Sequence, residues 1–246
     1  MSTIAIGDVH GNLAALDDLL SRITLEISAE DTIVFLGDYI DRGPDPKGCI
    51  QRIIDFRRAV KGLVVTLLGN HEEWLLRTYD DHTRHSWLLG MEGFQTVRSY
   101  SAPAAAILRE EAEKAGPRLV LERVPLPYEI FFEAVPAEHI TFLTNLQTFC
   151  RTVDAVCVHG GLDPDGGRVE EQQSEDLIWG TNGFPERYQG EEFVLYGHAD
   201  DFVLDQGRWP HPRILGRTYG LDTISSGVLT ALRLPDGIVF QSNRYD

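Results

Sequence analysis

Only three cysteines occur in 246 residues, Cys49, Cys150 and Cys157, and none lies in a Cys-x-x-Cys pair. This odd, dispersed set argues against a disulfide framework and a thiolate zinc site, and it points to a reducing cytoplasm. Positive charge is also short. The 22 Lys plus Arg stand against 38 Asp plus Glu, a formal charge of −16. Binding to a nucleic-acid duplex wants a basic footprint, so that function is disfavoured. No apolar run approaches the ~20 residues of a membrane helix. The opening MSTIAIGDVHG lacks the basic-then-apolar pattern of a secretory signal. No internal repeat or low-complexity segment is found. The acidity itself reads either as a soluble, non-sticky surface or as carboxylates that hold cations.

What remains is an ordinary globular composition, with 43% hydrophobic and 24% charged residues. A chain this long buries roughly 70–75% of its unfolded surface, and the length favours one domain. The first seventy residues alternate strands with helices. Ile4-Ala5-Ile6, Thr32 to Leu36 and Leu63 to Leu68 are apolar runs, each ended by glycine. Between them, Asn12 to Ile23 places Leu13, Leu16, Leu19, Leu20 and Ile23 on one helical face, with Asn12 as N-cap. Pro46 to Val60 reads as a second helix capped by Asp45. A βαβαβ order implies parallel strands joined by right-handed crossovers. The middle, about 72–149, reads as a helical cap inserted in a single catalytic domain of residues 1–246. Val124-Pro125-Leu126-Pro127 is a turn within it, and Ala137 to Leu146 a short helix. The last hundred residues read as β-rich, with strands at Val153–Val158, Phe193–Tyr196, Val228–Leu234 and Ile238–Phe240. Pro235-Asp236-Gly237 marks a hairpin between the last two.

Five polar clusters follow directly on apolar runs: Gly7-Asp8-Val9-His10-Gly11, Gly37-Asp38-Tyr39-Ile40-Asp41-Arg42-Gly43, Gly69-Asn70-His71-Glu72, His159-Gly160-Gly161 and Gly197-His198. Strands of one sheet would bring such clusters to one edge, where open α/β sheets build their sites. Asp8, His10 and Asp38 can hold one metal ion, and Asp38, Asn70, His159 and His198 a second, with Asp38 bridging at the ~3.5–4 Å typical of paired ions. Oxygen and imidazole donors without thiolate suit Mn²⁺, Fe or Zn²⁺. Water bridging such a pair ionises near neutral pH and can attack phosphorus. Arg42 can clamp phosphate oxygens with its planar fork. His71 suits a general acid for the leaving oxygen, oriented by Asp41.

Taken singly, each cluster has a plainer reading: a turn, a helix start, a solvated loop. The set is what argues for function, because four of the eight histidines fall in it. His82, His85, His139 and His211 lack partner spacing and read as surface or packing residues. Trp74, Trp87, Trp179 and Trp209 read as core or cap anchors, and the acidic Glu170, Glu171, Glu175 and Asp176 as a solvated face.

In this order, GDVHG, GDYIDRG, GNHE, HGG and GH resemble the calcineurin-like metallophosphoesterases. Within them they resemble the serine/threonine phosphoprotein phosphatase (PPP) type, including bacterial and bacteriophage lambda phosphatases. The motifs span Gly7 to His198. The resemblance implies an α/β fold, a four-layer α/β/β/α sandwich, with two divalent ions at one edge and Mn²⁺ as the leading choice. It implies Asp8 and His10 on the first ion, Asp38 bridging, and Asn70, His159 and His198 on the second. It further implies His71 as the acid, Asp41 as its partner and Arg42 on phosphate. The chain looks like a compact bacterial catalytic domain without regulatory extensions.

One feature departs from that pattern. Relatives place a second phosphate-binding arginine just after a Trp between HGG and GH, but Trp179 is followed here by Gly180-Thr181-Asn182-Gly183. Either Arg187 reaches in, or Thr181 and Asn182 replace the charge with neutral hydrogen bonds, or the site is open to a different substrate. The leading expectation is a metal-dependent phosphoprotein phosphatase acting on phosphoserine or phosphothreonine, and on phosphotyrosine as an extension. The alternative is a symmetrical diadenosine-tetraphosphatase or another nucleotide pyrophosphohydrolase. A non-catalytic metal-binding scaffold comes third. The substrate is expected to be a phosphorylated protein or small phosphoester, without duplex nucleic acid or membrane.

Overall fold

The computed structural model describes residues 1–245. The chain opens with β1 (Thr3–Ile6), α1 (Leu13–Ile23), β2 (Thr32–Phe35), α2 (Pro46–Ala59) and β3 (Leu63–Thr66). β1, β2 and β3 pair in parallel, as the alternating pattern requires. Both helix starts are capped as expected. Asn12 Oδ1 accepts from the Ala15 amide at 3.1 Å and Asp45 Oδ1 from that of Gly48 at 2.8 Å.

Seven helices follow: α3 (Asn70–Asp80), α4 (Ser86–Gly90), α5 (Phe94–Tyr100), α6 (Ala102–Ala115), α7 (Arg118–Leu121), α8 (Glu129–Phe132) and α9 (Ala137–Thr144). The C-terminal part holds β4 (Phe149–Arg151), β5 (Ala155–Val158), α10 (Ser174–Trp179), β6 (Phe193–Tyr196), β7 (Phe202–Leu204), β8 (Pro210–Leu215), β9 (Thr218–Gly220), β10 (Thr230–Leu234) and β11 (Ile238–Gln241).

These strands make two mixed sheets. One has the order β11-β10-β1-β2-β3 and the other β4-β5-β6-β9-β8-β7. Side-chain alternation assigns each face. Ile4, Ile6, Ile33 and Phe35 face α1, α2 and the inserted helices, while Ala5, Val34 and Val65 face Ala155, Cys157 and Leu195 of the second sheet. On that sheet's outer side Val156, Val158, Val194 and Tyr196 pack under Leu162, Val169 and Leu177. The result is the expected metallo-dependent phosphatase sandwich, with a thin outer layer made of α10, one 3₁₀ turn and loops.

Three details depart from the sequence reading. The run at Val153 does not start a strand. Val153 is 72% exposed in a turn, and the antiparallel pair β4–β5 flanks it. The helix predicted to Leu146 stops at Thr144. β7, β8 and β9 were not anticipated, because Pro210 and Pro212 interrupt the alternation and Val203 and Ile214 point to solvent. Pro210 is the first residue of β8, and both prolines lie in the half of it that pairs with β7 alone, where a missing N–H is tolerated.

Candidate active site

Both sheets deliver residues to one edge. Asp8 and His10 leave β1, Asp38 to Arg42 leave β2, Asn70 and His71 open α3 after β3, His159 follows β5, and His198 follows β6. Of the nine non-glycine residues in the left-handed region among the described residues, five lie here: His10 (φ 42°), Asp38 (51°), Asp41 (67°), Arg42 (60°) and His198 (74°). Such conformations cost about 1–3 kcal/mol each and persist only when the surroundings enforce them. Neighbouring glycines allow the crowding. A Cβ on Gly69 would overlap the Asp38 carboxylate, and one on Gly197 that of Asp8.

Hydrogen bonds fix the histidine donors. His10 Nδ1–H donates to the Ile40 carbonyl at 3.0 Å, leaving Nε2 buried without a hydrogen-bond partner. His159 Nδ1–H donates to the Leu36 carbonyl at 2.9 Å. Its Nε2 lies 3.4 Å from Asp38 Oδ1 and 2.9 Å from Asn70 Oδ1, and His198 Nδ1 is 3.0 Å from that same Asn70 oxygen. Among the described residues, two donor groups have atoms within 4.8 Å of one another, His10–Asp38–His71 and Asp38–His159–His198. Asp38 is common to both. An unpartnered imidazole nitrogen buried beside converging carboxylate and amide oxygens is a donor set for a divalent cation. Asp8 differs from expectation. Both its oxygens face the His198 amide, at 2.9 and 3.1 Å, and it belongs to neither donor group.

The titration behaviour follows from burial and neighbours. Burial lowers His10 to about 3 and His198 to about 4, so both rings are neutral and able to donate a lone pair. Burial drives the Asp8 carboxyl up, reinforced by Asp222 and Asp38. Burial also opposes ionisation of Asp38, but the imidazoles of His159, His71 and His10 hold it well below the usual carboxylate range.

His71 and Asp41 stand together. His71 Nδ1–H donates to Asp41 Oδ2 at 2.7 Å, and Nε2 lies 3.8 Å from Asp38 Oδ2. Burial disfavours the charged ring, yet Asp38 and Asp41 outweigh it and raise His71 to about 9. Asp41 is itself held from two further sides. Trp87 Nε1–H donates to it at 3.0 Å, and the Thr96 hydroxyl donates to Oδ1.

Sequence reasoning missed several supporting residues. Glu72 accepts the amides of Asp38 (2.9 Å), Tyr39 (2.8 Å), Ile40 (3.2 Å) and Gly69 (3.2 Å), bracing the loop that carries Asp38. Its place in the GNHE cluster was the available signal. Trp87 and Thr96 come from the helical insertion, and no local pattern marks them. Asp222 follows β9 as the other aspartates follow their strands. Its Oδ2 accepts the Asp200 amide at 2.8 Å, and its Oδ1 is buried without a hydrogen-bond partner.

Arg42 is exposed and has no carboxylate partner among the described residues. Two of the candidates to replace a second arginine, Arg187 and Thr181, are engaged elsewhere. Arg187 pairs with Asp165 at 2.5 Å, and the Thr181 hydroxyl donates to the Leu162 carbonyl at 2.8 Å. Trp179 stacks near Trp74 with centroids 5.0 Å apart and donates to Glu73 at 2.7 Å. His85 and His139 are buried and hydrogen-bonded to Tyr128 and Tyr100, in keeping with packing roles.

One consequence concerns the ion-free protein. From pH 6.5 to about 9 the folded chain keeps a proton on His71 that the unfolded chain releases. This contribution is fully present at low pH and is lost as pH rises through the folded value. The lowered His10 and His198 titrate below this window. Stability in chelator should therefore fall above pH 6.5 by about 1.4 kcal/mol per pH unit for this retained proton. Thermal unfolding at about pH 6.5, 7.5 and 8.5 reads this directly, and a flat or rising Tm would contradict it. A divalent cation should flatten the slope.

Comparison with known proteins agrees with this geometry. The family profile for calcineurin-like phosphoesterases matches residues 1–227. A symmetrical bis(5′-nucleosyl)-tetraphosphatase of Pectobacterium atrosepticum is 36% identical over 96% of this chain and 92% of its own length. An asymmetrical bis(5′-nucleosyl)-tetraphosphatase (PrpE) of Oceanobacillus iheyensis is 24% identical over 94% of this chain and 88% of its own. A crystal structure provisionally named a diadenosine tetraphosphatase superposes with TM-score 0.63 at 20% identity, covering all of this chain and 94% of that one. These relatives carry the name of the pyrophosphohydrolase alternative, not that of a serine/threonine protein phosphatase. The chain belongs to the calcineurin-like metallophosphoesterase family.

Proposed function

We propose that this chain hydrolyses dinucleoside tetraphosphates, cleaving the central phosphoanhydride to give two nucleoside diphosphates. The chemistry rests on one observation: two donor groups share Asp38, and in one of them His71 is paired through its other nitrogen with buried Asp41. The choice of substrate rests on the full-length similarity to symmetrical tetraphosphatases.

His10, Asp38, Asn70, His159 and His198, with Asp8 beside them, would hold the divalent cations that the family implies. Bound ions of this kind polarise phosphoryl oxygens and lower the pKa of water. Asp41 keeps the His71 ring in one orientation with its Nδ1 proton accounted for, so the Nε2 proton is the one available to the departing oxygen. Arg42, free of carboxylate partners and at the mouth of the site, binds non-bridging phosphate oxygens. The reaction joins a water oxygen to phosphorus, breaks the bridging P–O bond, and leaves the second diphosphate to take up a proton. Trp87 and Thr96 hold Asp41 and so position the pair without touching substrate.

The test compares kcat/KM for diadenosine tetraphosphate, a phosphoserine peptide and p-nitrophenyl phosphate in the Mn²⁺-supplemented protein. Each extra phosphate contact is worth about 1.5–3 kcal/mol, so the dinucleotide should lead the phosphopeptide by about 100-fold or more. Two ADP are the expected products. ATP plus AMP would indicate asymmetrical cleavage, and preference for the phosphopeptide would restore the protein phosphatase reading.

A further inference from the structure

We infer that Arg98, on the inserted helix α5, is this chain's second phosphate clamp, binding a phosphate of the substrate beyond the one that is attacked. The inference rests on the polyphosphate substrate proposed above. No arginine directly follows Trp179; of the expected substitutes, Arg187 and Thr181 have other partners and Asn182 carries no charge.

Arg42 and Arg98 line the same open cavity of about 500 Å³, together with Pro44, Gln95 and Ser99. No carboxylate of the described residues lines it. Neither guanidinium has an acidic partner among the described residues, although most arginines of this strongly acidic chain do. Arg77, Arg151, Arg187, Arg213 and Arg233 all sit within 4 Å of a carboxylate. Two unpaired guanidiniums on one wall are a site for an anion with more than one charge.

The position of Arg98 relative to Arg42 is enforced. The Asp41 amide donates to Thr96 Oγ1 at 2.9 Å, and the Thr96 hydroxyl donates back to the Asp41 carboxylate. One further turn-level contact, the Lys47 amide to Ser99 Oγ at 3.2 Å, ties the other end of α5 to the start of α2. Thr96 and Ser99 thus anchor α5 on either side of Arg98, beside the segment that carries Arg42. Gln95 and Arg98 lie three residues apart and share a helix face. That face continues into an adjoining cavity of about 450 Å³, which shares Gln95 and Arg98 and is lined further by Phe94, Arg109 and one carboxylate, Glu92. The Arg109 guanidinium rests 4.4 Å from the Phe94 ring centre. A chain of phosphates leaving Arg42 therefore meets Arg98 next and has room beyond it. A phosphomonoester presents nothing to Arg98, so the residue discriminates by phosphate count.

The plainer role for Arg98 is electrostatic, since a cation in the last turn of α5 complements the helix dipole. Calorimetric titration separates the two. Inorganic phosphate and tripolyphosphate are titrated into the metal-loaded protein as magnesium complexes, so that ligand does not strip bound ions. In Arg98→Ala the tripolyphosphate affinity should fall about 10- to 100-fold, the loss of one charge-assisted contact, and at least tenfold more than the phosphate affinity. Arg98→Lys should recover part of it as a point charge. Arg57→Ala, which removes an equal charge elsewhere, should not reproduce the split. Equal losses for both anions, no loss, or the same split in Arg57→Ala would overturn the assignment. The titration uses no nucleotide. A protein that turned over phosphopeptides in preference to dinucleotides would refute the substrate reading, while the tripolyphosphate-to-phosphate ratio would still decide Arg98.

Discussion

In a His71→Asn variant, kcat is expected to fall about 10²–10⁴-fold on an alkyl phosphomonoester, the usual range for a lost general acid, and only about tenfold on a dinucleoside tetraphosphate. The difference follows from the leaving group. An alkoxide is strongly basic and gains much from protonation as the bond breaks. A nucleoside diphosphate leaves as a stabilised anion and gains little. Asparagine is chosen because it approximates the imidazole's shape and can still donate to Asp41, so the 2.7 Å contact has a replacement. Single-turnover rates on both substrates check the result. Equal losses would assign His71 to phosphate positioning and not to proton transfer.

The second large effect is on stability. Glu72→Ala should destabilise the protein by about 3–6 kcal/mol, because each buried amide left without an acceptor costs about 1–3 kcal/mol. Four amides meet at this carboxylate, and Asp38, Tyr39 and Ile40 supply three of them in sequence. Water can enter the space and recover part of the loss, which is why the range stays below the full sum. Glu72→Gln keeps one acceptor oxygen and should lose about half as much. The same braced loop holds Asp38 in its left-handed conformation, so divalent-cation affinity should fall about 10–100-fold in Glu72→Gln, as for other residues that orient a metal ligand. Urea unfolding and metal titration measure the two. A loss below about 1 kcal/mol in Glu72→Ala would show that the loop keeps its shape without this carboxylate.

Much of this molecule could be read in advance, and the reasons are local. Asn12 and Asp45 cap their helices through their own side chains, and the glycine-ended runs at Ile6, Leu36 and Leu68 mark strand ends whatever lies elsewhere. The candidate site residues could be singled out because each follows such an end. What escaped depends on distant neighbours. Trp87 and Thr96 act on Asp41 across separations of 46 and 55 residues. Arg98 sits in a helix whose own composition points nowhere. The outlying strands β7 to β9 were hidden by two prolines and by side chains that face solvent on the side where alternation would have shown. Asp8 follows the end of β1, a local signal, but the atom it meets there is the His198 amide, 190 residues away.

That last separation has a consequence for how the molecule comes into being. The Asp8–His198, His159–Leu36 and His159–Asn70 contacts all join a residue of the first sheet's edge to one of the second's, across 190, 123 and 89 positions. No stretch of the nascent chain shorter than about its first two hundred residues contains the whole set. Contacts between such distant positions form late, since the loops they close must first be brought together. Emerging N-terminal segments can build β1, β2 and β3 and still be chemically silent. Hydrolytic activity in this architecture is a signal of completed assembly, and it switches on at the step that seats one sheet against the other.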